Sequence, residues 1–285
     1  MSLRLFHSIW TAPQNTDRWG VEREKRNYVD LLCTAISVAC AKKNGCEIAL
    51  HTDIKGKERY GWLPYDEIHL TLQSHQYDTS FWASGKIISQ QYEPLGSIHI
   101  DTDVFVKTKR TVEMMQELKH FDLLIQHTEW DYSQSYNRET WGMLINILGS
   151  SHVPSLPEFI LTPCHAYCCG VVGFNSQALK DLYIVGYEFL YNMLVNRPLF
   201  HELKHDFCPD LIIEQGWLYS AAQAIGARVK QVLANNNKID AYKNDFVHVI
   251  NTAKYKPEII SQLEFFLKHI SPVLYDGIKQ RIFTF

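Results

Sequence analysis

The sequence lacks three features, each of which would assign it to a class at once: an excess of positive charge, a long apolar run and a regular set of cysteines. Its 28 Lys and Arg residues against 31 Asp and Glu residues give a net charge of −3, whereas proteins that bind nucleic acid usually carry a basic surface. No apolar run approaches the roughly 20 residues that a membrane-spanning helix needs. We therefore expect neither a nucleic acid partner nor a transmembrane segment.

The N-terminus and the cysteines carry the same kind of information. Residues 1–10 have too short an apolar part for a signal peptide and no small-residue cleavage site. The seven cysteines are irregularly spaced, which argues against a disulfide framework and for a reducing compartment. Cys164, Cys168 and Cys169 lie close together but have no second paired cluster, so we expect buried free thiols here rather than a zinc site. These features predict a cytoplasmic protein.

Internal repeats, low-complexity tracts and linkers are also absent, which favours a single domain over residues 1–285. The chain is 46% hydrophobic, which is enough for one large buried core. Strand and helix patterns alternate from the start, with a strand at 3–10, a helix at 22–43 and a strand at 46–51. This βαβ opening predicts an α/β fold with a mostly parallel central sheet flanked by helices.

The alternation of strands and helices continues along the chain. We predict further strands at 67–72, 96–106, 121–127, 166–174, 230–233 and 246–250. Further helices are predicted at 81–92, 139–148, 176–195 and 211–225, followed by a C-terminal helical cap from 257. The polar and aromatic segment 128–138 is predicted to be a loop, either over a site or on the ordinary surface.

The stretch 96–106 is the most informative part of the sequence, because Asp101 and Asp103 come right after the buried-strand pattern of Ile98 and Ile100. Two acids beside a buried strand are costly unless they are paired, solvated or bound to a cation. Ligands bind at the carboxyl ends of strands in open α/β sheets, and Mg²⁺ or Mn²⁺ prefers carboxylate oxygens and readily shares its shell with phosphates. The pair predicts a metal–diphosphate site, with an ordinary acidic turn as the alternative.

Two later segments offer groups that such a site would use. His248 ends an apolar strand pattern and Lys254 follows six residues later. A neutral imidazole can complete a metal shell and a lysine can hold phosphate charge, although a buried strand histidine and a surface lysine are the alternative. Glu214 and Gln215 open the helix predicted at 211–225, where an acid suits the helix dipole without any function.

A competing motif is His201-Glu202-x-x-His205, which matches the H-E-x-x-H pattern of zinc hydrolases. Two histidines four residues apart on a helix can bind Zn²⁺ while the glutamate acts as a base. The extended pattern with a third histidine does not follow, and Pro198 and Pro209 leave room for only a short helix. A solvated helix face is the simpler interpretation, and a zinc hydrolase is retained as an alternative function.

The order of these motifs resembles that of GT-A-type nucleotide-sugar glycosyltransferases. The closest likeness is to the family-8 type, which includes glycogenin and the bacterial lipopolysaccharide galactosyltransferases, and to a bacterial group related to them. The segment Ile-His-Ile-Asp101-Thr-Asp103 resembles the strand-borne D-x-D motif of that family. The pair His248 and Lys254 resembles its C-terminal H-x5-K motif at the same spacing.

Two weaker likenesses lie between these motifs. Glu214-Gln215 stands where the family has Asp-Gln at the start of a helix, and residues 169–175 resemble the N-A-G-V strand that lines its acceptor side. The sequence departs from the family pattern at Cys168, where the family usually has Asn, and at Glu214, which replaces Asp. Sugar identity and acceptor geometry therefore do not follow from the resemblance.

The resemblance implies a GT-A-like fold with a nucleotide-binding half at 1–106, an acceptor half with the metal-site return strand at 107–255, and a helical cap at 256–285. It implies transfer of a sugar from a nucleotide diphosphate donor, expected to be a UDP-sugar, to a glycan or lipid-linked acceptor. This would be a step of polysaccharide biosynthesis, with retention at the anomeric carbon suggested. Such enzymes often act on membrane-linked glycans, so peripheral membrane association stays open.

The resemblance also implies a role for each site residue. A Mn²⁺ or Mg²⁺ ion would be held by Asp101, Asp103 and His248. The other contacts would come from Lys254 and Lys86 to the diphosphate, from Ser8, Trp10 and Asp53 to the nucleoside, and from Gln215 and Glu214 near the anomeric carbon. For Lys86 a surface lysine is an equal alternative. A third hypothesis is a GT-A-like protein that binds nucleotide sugar without turnover, although an intact set of metal and phosphate residues argues against it.

Overall fold

A mostly parallel sheet organises the chain in the computed structural model, which describes residues 2–15, 21–130, 138–149, 165–204, 208–233, 246–249 and 251–281. The strands of the described residues, in chain order, are β1 Arg4–Ile9, β2 Glu47–Thr52, β3 Glu67–His69, β4 Ile98–Ile100, β5 Val104–Val106, β6 Leu123–Ile125, β7 Thr128–Trp130, β8 His165–Tyr167, β9 Val171–Phe174, β10 Val229–Gln231 and β11 Phe246–His248.

Helices alternate with these strands. They are α1 Arg23–Lys43, α2 Ile54–Tyr60, α3 Ser84–Tyr92, α4 Lys109–Gln116, α5 Arg138–Leu148, α6 Gln177–Val195, α7 Pro198–Leu203, α8 Pro209–Leu211, α9 Trp217–Ala224, α10 Pro257–Ile270 and α11 Pro272–Arg281. A π turn at Ile212–Gly216 joins α8 to α9. The described helices include none that is long and apolar enough to cross a membrane.

The order of strands in the central sheet shows where a ligand would be expected to bind. Seven strands lie in the order β3-β2-β1-β4-β9-β6-β10, and β9 alone among them runs antiparallel to its neighbours. The run β3-β2-β1-β4 is the order of a doubly wound, Rossmann-like half, in which ligands bind where the chain reverses its direction of winding. That point lies at the carboxyl ends of β1 and β4. The predicted α/β class and mostly parallel sheet are confirmed.

Local sequence signals explain the opening βαβ unit and the later helices. Asn44 ends α1, with its side-chain amide donating to the Cys40 carbonyl, and Gly45 follows with φ of 77°. This left-handed conformation suits glycine because other residues pay a steric cost for it. Ser176 caps α6, where its hydroxyl accepts a hydrogen bond from the Leu179 N–H. The predicted boundaries of both helices are confirmed.

Helices cover both faces of the sheet, and β1 shows how. Its side chains alternate between the faces, so His7 bonds to Ser37 of α1 while Arg4 bonds to Glu93 at the end of α3. The C-terminal helices α10 and α11 pack on α1, which confirms the predicted helical cap. On the opposite face α3, α6 and α9 pack together over a second apolar core.

Some predicted boundaries were wrong. Residues 96–106 form two strands, because the chain turns at Asp101: β4 stays in the main sheet and β5 pairs with β11 in a separate antiparallel ladder. Residues 166–174 also form two strands, since a turn at 168–170 separates β8 from β9. An apolar run does not reveal where a turn divides it, because both strands are buried.

Two further segments differ from expectation. Residues 128–130 of the predicted loop form β7, which pairs antiparallel with β8, and residues 131–137 lie outside the described residues. The helix predicted from 211 begins at Pro209 and contains the π turn. Proline is favoured in the first turn of a helix because its missing N–H has no partner there anyway.

A buried ion-pair cluster joins β1, β2 and α3. The carboxylate of Glu93 accepts from Arg4 Nε at 2.6 Å and contacts His51 Nε2 at 2.8 Å. Burial alone would raise the pKa of Glu93, but the hydrogen bonds from His51 and Arg4 lower it from 4.5 to about 2. The carboxylate is therefore more stable as an anion in the folded chain than in the unfolded chain.

The variant Glu93→Gln should lower the free energy of unfolding by about 3 kcal/mol at neutral pH, because Arg4 then loses its buried partner. The contribution of Glu93 is full above about pH 4.5 and is lost as the pH falls toward 2. Guanidinium unfolding should therefore show the gap between wild type and variant shrinking over that range. Glu67→Gln removes the exposed partner of Arg4 and should cost less than about 1 kcal/mol; equal costs for the two variants would contradict this account.

Candidate metal centre

The predicted acidic pair lies at the carboxyl end of β4, beside the end of β1. Asp101 follows β4, its N–H donates to the Gly170 carbonyl at 2.9 Å, and its own carbonyl accepts from the Val104 N–H at 2.9 Å. This turn carries the chain from the main sheet into β5, with Asp103 just before that strand. Both acids therefore stand at the edge where the topology places a ligand.

The third predicted ligand, His248, reaches the same point from β11. The pairing of β11 with β5 sets His248 opposite Val104. His248 Nε2 lies 3.3 Å from Asp103 Oδ1 and 4.0 Å from Asp101 Oδ2. The ligand atoms of these three residues all lie within 4.8 Å of one another. Two carboxylates and an imidazole form a donor set that suits Mn²⁺ or Mg²⁺.

The ring of His248 is held in the orientation that a metal ligand needs. Its Nδ1 lies 2.8 Å from Gln126 Oε1. Because an amide oxygen only accepts, this bond places the ring proton on Nδ1 and leaves the Nε2 lone pair facing the two carboxylates. Gln126 was not predicted from the sequence, since nothing in a single strand pattern shows which side chain will face a distant histidine.

Gly170 makes room for this arrangement. A Cβ at that position would lie 2.3 Å from Gln126 Oε1 and 2.6 Å from His248 Cε1. These separations are far below van der Waals contact, so any side chain at 170 would displace the pair. A glycine within an apolar strand pattern often marks such a close approach, and that signal was available in the sequence.

Lys254, the second half of the predicted H-x5-K motif, also reaches the site. Its Nζ lies 3.1 Å from Asp103 Oδ2 and 3.4 Å from Asp30 Oδ1. Burial lowers the pKa of Lys254, but Asp103 and Asp30 outweigh it and hold the pKa well above its ordinary value. Burial raises the pKa of Asp103, whereas the Lys254 ammonium outweighs burial and brings this pKa well below the usual range. Both partners are therefore charged at neutral pH.

Lys86 connects the acidic pair to the π turn. Its Nζ lies 2.8 Å from Asp101 Oδ1 and 3.1 Å from Glu214 Oε1. Burial lowers the pKa of Lys86, but Asp101 and Glu214 raise it well above its ordinary value. Burial raises the pKa of Glu214 to about 7, although Lys86 opposes this shift. The alternative of a surface lysine is wrong, because the Lys86 side chain is only 12% exposed and lies between two carboxyl groups.

Asp210 fixes the π turn against α3. It accepts hydrogen bonds from the backbone N–H of Ala83, just before α3, and from the Tyr187 hydroxyl at 2.8 Å. This contact sets the distance between α3, which carries Lys86, and the turn that carries Glu214. Gln215 is buried beside Glu214 in the same turn. Asp210 was not singled out from the sequence, where it reads as an ordinary first-turn acid.

A small cavity lies beneath Lys86, with Glu214 and His99 in its lining and a volume of about 10 Å³. Glu214 Oε2 and His99 Nδ1 are buried and have no hydrogen-bond partner among the described residues. The volume corresponds to about one water molecule. A sugar could not enter this space, so a large ligand would have to bind on the other side of Lys86.

The residues predicted for the nucleoside lie at the ends of β1 and β2. Asp53 caps α2 by accepting from the Gly56 N–H at 2.8 Å, and its other oxygen accepts from the Thr11 N–H and hydroxyl, each at 2.8 Å. Trp10 is buried, with its ring edge-on to His75. Ser8 lies in β1, half-buried. A nucleoside-binding role for these three residues stays a prediction.

The competing zinc motif lies apart from this centre. His201 is exposed on α7, and its Nε2 lies 2.8 Å from the Val195 carbonyl, to which it donates. Helix α7 ends at Leu203, and His205 lies outside the described residues. The helix that carries His201 therefore ends before Lys204. The zinc hydrolase stays an untested alternative.

The cysteines of the described residues form no disulfide with one another, and they are Cys33, Cys40, Cys46, Cys168, Cys169 and Cys208. All but Cys208 are buried. This agrees with the expectation of buried thiols without a disulfide framework. Cys164 lies outside the described residues.

The fold and this centre define a class: an α/β protein with a Rossmann-like, mostly parallel sheet that carries a carboxylate–histidine cluster at the carboxyl end of β4. The chain belongs to the family described as Family of unknown function (DUF6734), whose family model matches residues 3–281. Comparison with the curated proteins and with the solved structures finds no match.

Proposed function

We propose that this protein is a metal-dependent glycosyltransferase that moves a sugar from a nucleotide diphosphate donor, most simply a UDP-sugar, to a glycan or lipid-linked acceptor. The observation that carries the proposal is the convergence of Asp101, Asp103, His248 and Lys254 on one point of the sheet edge. These residues come from distant parts of the sequence and were selected by motif alone. A chance match would not be expected to bring them together.

The position of the cluster supports a GT-A-like fold and a nucleotide ligand. The first four parallel strands have the order of a mononucleotide-binding half. In the proposed enzyme, residues 1–106 bind the nucleotide, residues 107–255 supply the acceptor side, and β11 returns His248 to the metal. The cluster lies where β4 ends, which is next to the end of β1, so a nucleoside over β1 would place its phosphates near Asp101 and Asp103.

The residues present fit a hard divalent cation. Asp101, Asp103 and His248 would hold Mn²⁺ or Mg²⁺, since two carboxylates and one imidazole leave coordination positions for phosphate oxygens. When bound, the cation would neutralise the donor diphosphate and stabilise the charge that remains on the departing nucleotide. The pairing of Asp103 with Lys254 keeps the Asp103 carboxyl ionised and ready to bind the cation.

Lys254 and Lys86 would both place a positive charge beside the donor diphosphate. Lys254 and Lys86 each lie within 3.1 Å of one of the two carboxylates. Both side chains are largely enclosed, at 15% exposed for Lys254 and 12% for Lys86, and remain charged, so they would interact strongly with the diphosphate in a site with little water. Lysine binds phosphate as a compact point charge and can shift between a carboxylate and a phosphate without a change of fold.

Glu214 is proposed to position Lys86 from the side opposite Asp101, because Lys86 Nζ contacts both carboxyl groups. With Gln215 it would lie near the anomeric carbon, as the resemblance implies. Asp210 holds this turn in place through α3. In the proposed enzyme, the π turn would therefore position the sugar relative to the diphosphate.

Thermal unfolding with Mn²⁺ alone, UDP alone and both together tests the proposal. We expect UDP to stabilise the protein only when Mn²⁺ is present, since a ligand at 100 times its Kd adds about 2.7 kcal/mol to the free energy of unfolding. The shift should disappear in His248→Ala. A UDP shift that needs no metal, or no shift with any nucleoside diphosphate, would contradict the proposal. A Zn²⁺ shift that is lost in His205→Ala would favour the hydrolase instead.

A further inference from the structure

A second group of metal-ligand side chains lies on the ladder formed by β7 and β8. It consists of His127, Glu129 and Cys168, whose ligand atoms all lie within 4.8 Å of one another. His127 precedes β7 and Glu129 lies within it, so the two side chains are two residues apart on an extended segment and point to the same face. Cys168 follows β8, and its N–H donates to the His127 carbonyl at 2.9 Å. The three side chains therefore meet across one pair of strands.

The main evidence for a ligand is that the imidazole of His127 is buried without a hydrogen-bond partner in the described part of the chain. Its side chain is fully buried, and neither ring nitrogen has a hydrogen-bond partner within the ranges that the structure describes. The nearest carboxylate oxygen, Glu129 Oε1, lies 3.5 Å from Nε2. Buried polar groups nearly always have a partner, because an unmade hydrogen bond is not compensated by water. A metal ion on Nε2 or Nδ1 would supply that partner.

We propose that His127, Glu129 and Cys168 form a Zn²⁺ site, separate from the carboxylate centre and independent of the proposed transferase function. A sulfur, an imidazole nitrogen and a carboxylate oxygen suit Zn²⁺ and its analogue Co²⁺ better than Mg²⁺. Zn–S and Zn–N bonds of about 2.3 and 2.0 Å place tetrahedral ligands roughly 3.5 Å apart. The distance of 3.5 Å from His127 Nε2 to Glu129 Oε1 matches that spacing, and the three ligand atoms lie within 4.8 Å of one another.

Cys168 would bind the metal as a thiolate, which is the form of cysteine that ligates metals. Metal binding would replace the thiol proton, which passes to solvent. Three protein ligands leave a fourth position for water or a substrate oxygen, as in catalytic zinc sites.

The remaining cluster of possible metal ligands in the described residues, formed by His51, His69 and Glu93, does not offer a comparable site. There His51 and Glu93 bond to each other, Arg4 also binds Glu93, and His69 contacts Glu67. Each of these groups already has a partner, so a metal would have to displace existing bonds. His127 has no such bond to lose.

The test is a titration of the full-length, reduced protein with Co²⁺. The thiolate-to-cobalt absorption in the near ultraviolet reports binding. We expect one equivalent of Co²⁺ to produce this absorption and one equivalent of Zn²⁺ to abolish it. Cys168→Ala should remove the absorption, and His127→Asn should weaken Co²⁺ binding by more than about 100-fold, since even outer-shell changes cost about 10–100-fold.

Two controls separate this site from the rest of the molecule. Cys169→Ala removes the neighbouring buried thiol, and Asp103→Asn alters the carboxylate centre; both should keep the absorption. Circular dichroism and thermal unfolding establish that each variant is folded. No absorption in the wild-type protein would overturn the proposal, and so would an absorption that survives in Cys168→Ala. Loss of Zn²⁺ binding in Asp103→Asn alone would place the ion at the carboxylate centre and also overturn it.

Discussion

Asparagine in place of Asp103 should lower the affinity for Mn²⁺ by more than about 100-fold and remove metal-dependent UDP binding. Asp103 is the carboxylate nearest to His248, with 3.3 Å between Oδ1 and Nε2. Changes outside the ligand shell already cost about 10–100-fold in metal affinity, so loss of a direct ligand should cost more. Asparagine keeps the shape and one acceptor oxygen, and Lys254 keeps its contact with Asp30. Calorimetric titration with Mn²⁺, with and without UDP, measures the effect.

Asp30→Asn is the matched control for this variant. Asp30 also contacts Lys254, at 3.4 Å, but it is not one of the three clustered metal ligands. We expect the control to bind Mn²⁺ within a few-fold of wild type, because the charge on Lys254 is still balanced by Asp103. If the two variants lost Mn²⁺ affinity equally, the effect would come from Lys254 and not from a metal bond to Asp103.

Alanine at Gly170 should disrupt the same centre without touching a ligand. The added methyl group would stand 2.3 Å from Gln126 Oε1 and 2.6 Å from His248 Cε1, so the hydrogen bond that orients His248 must break. Overpacking of this kind costs about 1–3 kcal/mol of stability. Loss of the orienting partner should lower Mn²⁺ affinity by about 10–100-fold. Denaturant unfolding and Mn²⁺ titration of one preparation measure both effects.

Gly142→Ala offers the matching control. Gly142 lies within α5, and a Cβ there would meet no atom within 4 Å. Alanine in a helix should stabilise the protein by about 0.5–1 kcal/mol and leave metal binding unchanged. Normal Mn²⁺ affinity in Gly170→Ala would show that Gln126 does not control His248, and the account of that contact would be wrong.

The contacts of the carboxylate centre also explain how the chain holds two partly buried acids close together. Asp101 and Asp103 each pair with a lysine, and Asp103 also contacts His248. Breaking a buried ion pair by removing one partner is strongly destabilising, whereas an intact pair is close to neutral. The lysines therefore stabilise the acids in the metal-free protein, and in the proposed enzyme the same charges serve the diphosphate.

Much of the fold could be predicted because its signals are local. The alternation of β1, α1 and β2, the stop at Asn44-Gly45 and the cap at Ser176 each depend on residues close in sequence. The position of the D-x-D pair at a strand end followed from the apolar run before it. The division of 166–174 into β8 and β9 was missed, because both strands are buried and hydrophobicity does not change at the turn.

The site was only partly predictable, because its supporting contacts are between distant residues. The motifs identified Asp101, Asp103 and His248 but not the partners that orient them. Gln126, just after β6, accepts a hydrogen bond from His248 of β11. Asp210 positions the π turn by accepting a hydrogen bond from the backbone N–H of Ala83. Such pairs are determined by how helices and strands pack, which a single sequence does not contain. The glycine at 170 was the one local sign of a close approach.

The most direct test of the central claim is the release of UDP from a panel of UDP-sugars, followed over time with Mn²⁺ and with a chelator. A glycosyltransferase without its acceptor transfers the sugar slowly to water, so the wild-type protein should release UDP from one preferred donor only when Mn²⁺ is present. Asp103→Asn should release none above background. Release that persists with the chelator or in Asp103→Asn, or binding of every UDP-sugar without any release, would contradict the account.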